Sequence, residues 1–221
     1  MELRVVIIMS EKNRGIENLH LERFVGTGYY NIPEVMPCNH INTSKFISFN
    51  YAKTAKEKEK KGVHFFLDDY QFIRLWDKAD MYLAMLKQFD CVCSPDFSLY
   101  LDYPKAMQIW NHYRKMWLSA YYQEYGINVI PTACWSDEDS YDFCFDGMPK
   151  NSLIAVSSLG TMHGKMQQEL FRNGYEEMIK RLNPTGVVFY GQVPEWVGSS
   201  GIIHIGSADD RFADLHTTKG E

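Results

Sequence analysis

The sequence predicts an α/β fold of repeated strand-helix units around a mainly parallel sheet, and three observations carry that expectation. From residue 46 onward, short β-rich runs alternate with longer segments whose apolar residues recur at three- and four-residue steps. The longer segments are bounded by helix punctuation, Pro104 before one and "NPTG" with Pro184 and Gly186 after another. The loops after each helix read as ordinary turns ("KKG", "QFD", "EYG"), whereas those after each strand carry carboxylates and aromatic residues.

The predicted strands are 46–50, 63–67, 91–94, 127–132, 153–157, 187–190 and 202–205. Between the second and third, Phe72, Leu75, Trp76, Ala79, Leu83 and Leu86 define one face of a helix over about 71–88. A helix over 104–125 is apolar or aromatic on nearly every side, which fits the molecular interior or half of a homo-oligomer interface, and Arg114 in its middle would need a partner if buried. A third helix, 165–182, keeps Leu170, Phe171, Gly174, Tyr175, Met178, Ile179 and Leu182 on one stripe. Such a chain can form an abbreviated barrel or an open sheet, and its sequence leaves both open. The first 45 residues are irregular: "LRVVIIM" is a strand candidate rather than a signal peptide, and "GTGYYNIPEVMP" reads as an ordered loop. The C-terminal "DDRFADLHTTKGE" should fray. With no repeat and no shift in composition, 1–221 reads as a single α/β domain.

Composition narrows the function classes. A net charge of −5 provides no global field for a phosphate backbone. "KTAKEKEKK" (53–61) interleaves Glu57 and Glu59 with its lysines and reads as a solvated helix, so a nucleic-acid partner is not expected. No apolar run approaches the roughly 20 residues that span a bilayer. Five cysteines without a C-x-x-C pair argue for reduced thiols in a cytoplasmic protein rather than for disulfides or a thiolate zinc site. H-E-x-x-H, G-x-S-x-G, Walker and dinucleotide fingerprints are all missing.

Parallel strands bring their carboxyl ends to one edge, where ligand sites of such sheets form. Asp68, Asp69, Asp96, Asp137 and Ser157 follow four different strands and should converge there, joined by Tyr190, Gly191 and Gln192. Asp69 precedes a helix and is expected to cap it, which leaves Asp68 aimed elsewhere. Ser136 and Asp139 resemble a capping box, Ser98 a local turn residue, and Asp146-Gly147 a turn. His64 should begin its strand, away from the rim, while His163 lies in a loop able to reach it. Clustered carboxylates imply a divalent metal, a cationic counter-charge or a raised pKa. The expected catalytic set is therefore Asp68, Asp96 and Asp137, with Asp68 and Asp96 also the candidate ligands of a divalent metal ion. Arg114, Trp135, Ser157 and Tyr190 are the expected substrate contacts. An enzyme acting on a nucleotide or phosphorylated small molecule fits this set. The alternative is a non-catalytic module that binds a host protein or a small signalling nucleotide.

The stretches "GVHFFLDDYQF", "SPDFSLYLDYPKAMQIWNHYRKMW" and "NGYEEMIKRLNPTGVVFYG", within residues 45–191, resemble the phage and bacterial family called domain of unknown function 4417. The resemblance implies a mobile element in a bacterial cytoplasm and brings no catalytic residues. It also implies a basic or tryptophan-bearing helix, matched by Arg114 and Trp117 in "NHYRKMW".

Overall fold

The computed structural model describes residues 23–206. The strand candidate "LRVVIIM", Gly15 and the C-terminal "DDRFADLHTTKGE" lie outside the described residues. The described chain starts with an antiparallel hairpin, β1 (Gly26–Thr27) and β2 (Ile32–Pro33), where the sequence suggests only a loop. Gly28 (φ 70°) and Asn31 (φ 51°) take the left-handed backbone that reverses the chain there.

Seven parallel strands follow among the described residues, in sequence order. β3 (Phe46–Ser48), β4 (Gly62–His64), β5 (Cys91–Cys93) and β6 (Val129–Ile130) pair in succession. β7 (Leu153–Ser157), β8 (Gly186–Tyr190) and β9 (Ile202–Ile205) form a second run. A parallel bridge between Thr132 and Ala155 joins the runs, with Ala155 N donating to Pro131 O at 2.8 Å and Ala133 N to Ala155 O at 2.9 Å. No strand among the described residues bridges β3 to β9, so the sheet is open rather than a closed barrel. Several strands are shorter than the sequence suggests. After Ser48 the chain coils into a short helix, α1 (Phe49–Ala52), and β4 runs from Gly62 to His64. His64 therefore ends its strand at the carboxyl edge instead of opening it at the other.

The remaining helices are α2 (Arg74–Asp77), α3 (Asp80–Leu86), α4 (Lys105–Glu124) and α5 (Lys165–Leu182). The single helix expected over 71–88 breaks at Lys78 (φ −143°, ψ 55°), although Leu75, Trp76, Ala79 and Leu86 stay buried. The lysine-rich segment forms only a 3-10 turn, Lys58–Lys60, preceded by Glu57 at φ 47°.

Strand alternation sorts the core into inner and outer parts. Cys91 and Cys93 of β5, Ala155 of β7 and Val188 and Tyr190 of β8 join Phe46, Ile130 and Ile205 in one cluster drawn from strands along the whole array. Their neighbours Val92, Ile154, Val156, Val187 and Phe189 face the opposite way, into clusters shared with the helices. α4 belongs to both outer clusters: Met116 and Ala120 pack with the β7–β8 side, and Trp117, Leu118, Tyr121 and Tyr122 with the β4–β6 side. Its apolar circumference thus reflects an interior position. Trp117 meets Trp76 edge-on (centroids 5.5 Å, 82°) and stacks on Tyr121 (5.1 Å, 14°). Trp117→Ala should cost about 3–5 kcal/mol of stability in a denaturant titration, the range for emptying a well-packed aromatic site.

Candidate functional site

The carboxyl edge of the sheet opens into a cleft of about 790 Å³. Asp68 follows β4, Asp96 follows β5, Trp135 follows β6, and Ser157 and Tyr190 end β7 and β8; all five line it. Tyr51, in α1, and Tyr100, on the loop into α4, add exposed rings to the wall. Tyr190 stacks on Phe66 (5.1 Å, 21°) and lies 4.7 Å from the buried His64 ring. His163 is exposed and does not line the cleft.

Of the expected catalytic and substrate-contact residues, two do not line it, and neither do Asp69, Gly191 and Gln192. Asp137 caps the 3-10 helix Glu138–Asp142, its Oδ1 accepting from Ser140 N at 3.3 Å and lying 3.8 Å from Lys105 Nζ. The cap thus falls one residue after the Ser136 expected from the sequence, because Ser136 Oγ is drawn 2.8 Å to Gln108 Oε1 inside the protein. Arg114 is buried with its guanidinium 3.9 Å from the Phe97 ring centroid, and Nη2 donates to Asn111 Oδ1 at 2.7 Å.

Asp69 and Asp68 also exchange their expected positions. Asp68 occupies the residue before the 3-10 helix Asp69–Gln71, with no side-chain bond into it, and accepts a weak bond from Gln71 Nε2 at 3.4 Å. Asp69 reaches across the rim instead, taking Ser98 Oγ–H at 2.8 Å and Ser98 N–H at 3.1 Å. Ser98 O in turn accepts from Asn111 Nδ2 at 2.7 Å. The chain Asp69–Ser98–Asn111–Arg114 ties the loop after β4 to the loop after β5 and to α4. Burial raises the Asp69 carboxyl, with the two Ser98 bonds and the Arg114 charge opposing.

A second polar group lies at the base of the cleft. Lys115 is fully buried, and its ammonium donates to Cys134 Sγ at 3.2 Å. Asp96 keeps slight exposure to the cleft, while its Oδ1 is buried without a hydrogen-bond partner. Burial pushes the Asp96 carboxyl up to about 6, against the Lys115 charge and a hydrogen bond from Cys134. Burial would pull Lys115 down, but Cys134 and Asp96 beside it hold its ammonium above the ordinary lysine range. The Cys134 thiol is itself pushed up by burial, so at neutral pH the counter-charge of Lys115 is the Asp96 carboxylate. Neither Lys115 nor Cys134 stands out from the sequence. The one legible signal is a polar stripe on α4, Asn111–Lys115–Ser119, at helical spacing.

Trp135 forms one wall, stacked on Phe171 (5.5 Å, 29°), with its Nε1 donating to Leu170 O at 3.2 Å. It lies directly on Gly174 of α5, where an added Cβ would come within 2.1 Å of the indole nitrogen. A divalent metal fits these residues poorly: among the described residues no three of His, Cys, Asp and Glu come together closely enough to hold one. Also among the described residues, no helix is long and apolar enough to cross a membrane.

An open parallel sheet with a cleft across its carboxyl edge defines the class: an α/β protein with a cleft at the strand-end rim. Within that class, the chain belongs to the family described as Domain of unknown function (DUF4417), whose model matches residues 24–206. The match is wider than the stretch 45–191 and takes in the hairpin. The chain is 42% identical over 172 residues to the Gene 1 protein of Mycobacterium phage L5, covering 77% of this chain and 75% of that one. It is 37% identical over 172 residues to the Gene 1 protein of Mycobacterium phage D29, covering 77% of this chain and 63% of that one. No solved structure matches it significantly.

Gly174→Ala should therefore displace Trp135, costing about 1–3 kcal/mol and shifting tryptophan emission to the red; an unchanged spectrum would show that the wall tolerates a methyl group. Asp96 gives a pH test. Its carboxyl rises from 3.8 to about 6 on folding, so its contribution is complete below the unfolded value and is lost as pH rises through about 6. The loss is on the order of 2 kcal/mol. The neutral Asp96→Asn variant should gain stability relative to the native protein over that interval, read from melting curves at successive pH values.

Proposed function

We propose that this protein is an enzyme of the phage-infected bacterial cytoplasm that binds a small, polar, ring-bearing molecule of nucleoside type in the rim cleft and moves a proton through Asp96. The observation that carries the reading is the unpartnered, buried Oδ1 of Asp96 at the base of a cleft large enough for such a ligand. Rings of Tyr51, Tyr100 and Trp135 offer stacking surfaces, while Ser48, Asn50, Gln71 and Ser157 supply hydrogen-bonding partners. Asp68 is the second carboxylate, placed to orient the ligand rather than to ionise it. The setting follows from the phage origin of the relatives.

The absence of Lys and Arg from the lining, among the described residues, weighs against a phosphate group in the cleft. Arg114 is committed to Asn111 and the Phe97 ring, so the nucleoside part of a nucleotide is the better fit than its phosphates. The position of α4 between two core clusters weighs against capture of a host protein through that helix.

Thermal melting against nucleosides, the matching nucleotides and simple sugars, each with and without magnesium or manganese, tests the proposal. At about a hundredfold excess over Kd a bound nucleoside should add about 2.7 kcal/mol, roughly 5–10 °C for a chain of this size. Trp135→Ala should remove most of that shift. A panel without any shift, or shifts that only phosphates or metal produce, would overturn the assignment.

A further inference from the structure

Cys134 differs from the other cysteines of the chain. Cys38, Cys91, Cys93 and Cys144 are buried, whereas Cys134 is partly exposed and lines the cleft. Its sulfur touches the ammonium of the fully buried Lys115 and lies within hydrogen-bonding reach of Asp96, with Phe97 O at 3.8 Å as the other acceptor for the thiol proton. A lysine charge kept wholly from water beside a thiol is costly, and packing alone does not require it. Burial raises the Cys134 thiol, with the Lys115 charge and hydrogen bond opposing, so it rests protonated and gives up its proton only in the step of attack; a base for the proton and a cation for the sulfur are what that step needs.

We propose that Cys134 is a nucleophile of the cleft, deprotonated by Asp96 and steadied by the Lys115 ammonium, and that its target is a ring carbon conjugated to a carbonyl group. The proposal rests on the cleft reading above and narrows its substrate to a pyrimidine-like ring, which carries such a carbon. In the step, the S–H proton passes to the Asp96 carboxylate and a sulfur lone pair forms the S–C bond. The carbon-carbon π pair shifts onto the carbonyl oxygen, and the proton held by Asp96 then quenches the resulting enolate, so the adduct contains every atom of both reactants. A soft sulfur nucleophile suits a conjugated carbon, and no leaving group, oxidant or metal is needed.

The groups that face this set are few. Cys144 lies near Cys134 and Lys115, and Asp69 and Cys93 lie near Asp96. His112 lies near Lys115; burial and that charge push its imidazole down to about 3, with the Asp146 O bond opposing, so it stays neutral over the working range. Asp96 is accordingly the group that titrates near neutrality in this cluster.

Acrylamide, a small neutral conjugated amide, is the probe, with adducts located by peptide mass mapping from about pH 5.5 to 8.5, a range that brackets the ordinary thiol response. Cys134 should be labelled before the other four cysteines, at a rate that rises through about pH 6 and then levels, whereas a free thiol gains roughly tenfold per unit up to about 8.5. Asp96→Asn should slow labelling at pH 7 by about tenfold or more. Lys115→Met should do the same with an unchanged near-ultraviolet spectrum; should it fail to fold, the native pH profile decides. A rate that climbs tenfold per unit through pH 8 and ignores Asp96→Asn, or a Cys134 no faster than the buried cysteines, overturns the proposal. Nucleoside binding with an inert Cys134 would sink the nucleophile and leave the cleft reading standing.

Discussion

Strand direction is the constraint on which the rest of this structure depends. Parallel neighbours cannot be joined by a tight turn, so each pair needs a crossover, and the chain must leave every strand at the same edge. Because the strands are laid down in sequence order, successive post-strand segments become spatial neighbours around that edge. The cleft is a product of this arrangement: five strands separated widely in sequence deliver Asp68, Asp96, Trp135, Ser157 and Tyr190 to one concavity. The sheet curls enough for Phe46 of β3 and Ile205 of β9 to share one cluster.

Strand-helix alternation and the bounds of α4 and α5 were legible because long periodic segments and Pro or Gly punctuation are local signals. The convergence of the strand ends was legible for the same reason, since it follows from direction alone. What failed depended on partners far away in sequence. Asp69 has the local pattern of a cap, yet Ser98, brought alongside by the next strand, outcompetes the helix for its oxygens. Ser136 was lost to Gln108 in the same way, and the cap passed to Asp137. The helix over 71–88 kept its buried face but broke at Lys78, where no Pro or Gly marks the position. Lys115 was hidden for a different reason: it follows Arg114 directly in a helix apolar on nearly every side, and sequence alone does not reveal what either cation meets.

α4 carries two unlike jobs on adjacent residues. Arg114 and Asn111 brace the rim by way of Ser98 and Asp69, a charge-assisted network whose members each have a partner within the protein. Lys115 turns instead toward Cys134 and Asp96 at the base of the cleft. Two buried cations one residue apart are costly unless both meet oxygen or sulfur acceptors, and the carboxylates that serve them come from separate loops, Asp69 after β4 and Asp96 after β5. Loop positions and helix orientation are therefore coupled: a shift in either loop would strip a cation of its counter-charge.

The enclosure of α4 also bears on how the polypeptide acquires its shape during synthesis. When a ribosome has released only the residues up to β6, the Met116 and Ala120 side of that helix has Ile32, Val35 and Leu99 beside it but lacks its neighbours in β7, β8 and α5, which have not yet emerged. A nascent intermediate of this kind shows a greasy flank to the cytosol until the last third of the message is read. Completion of the C-terminal third, rather than any early helix, is thus the event that makes the molecule safe from self-association.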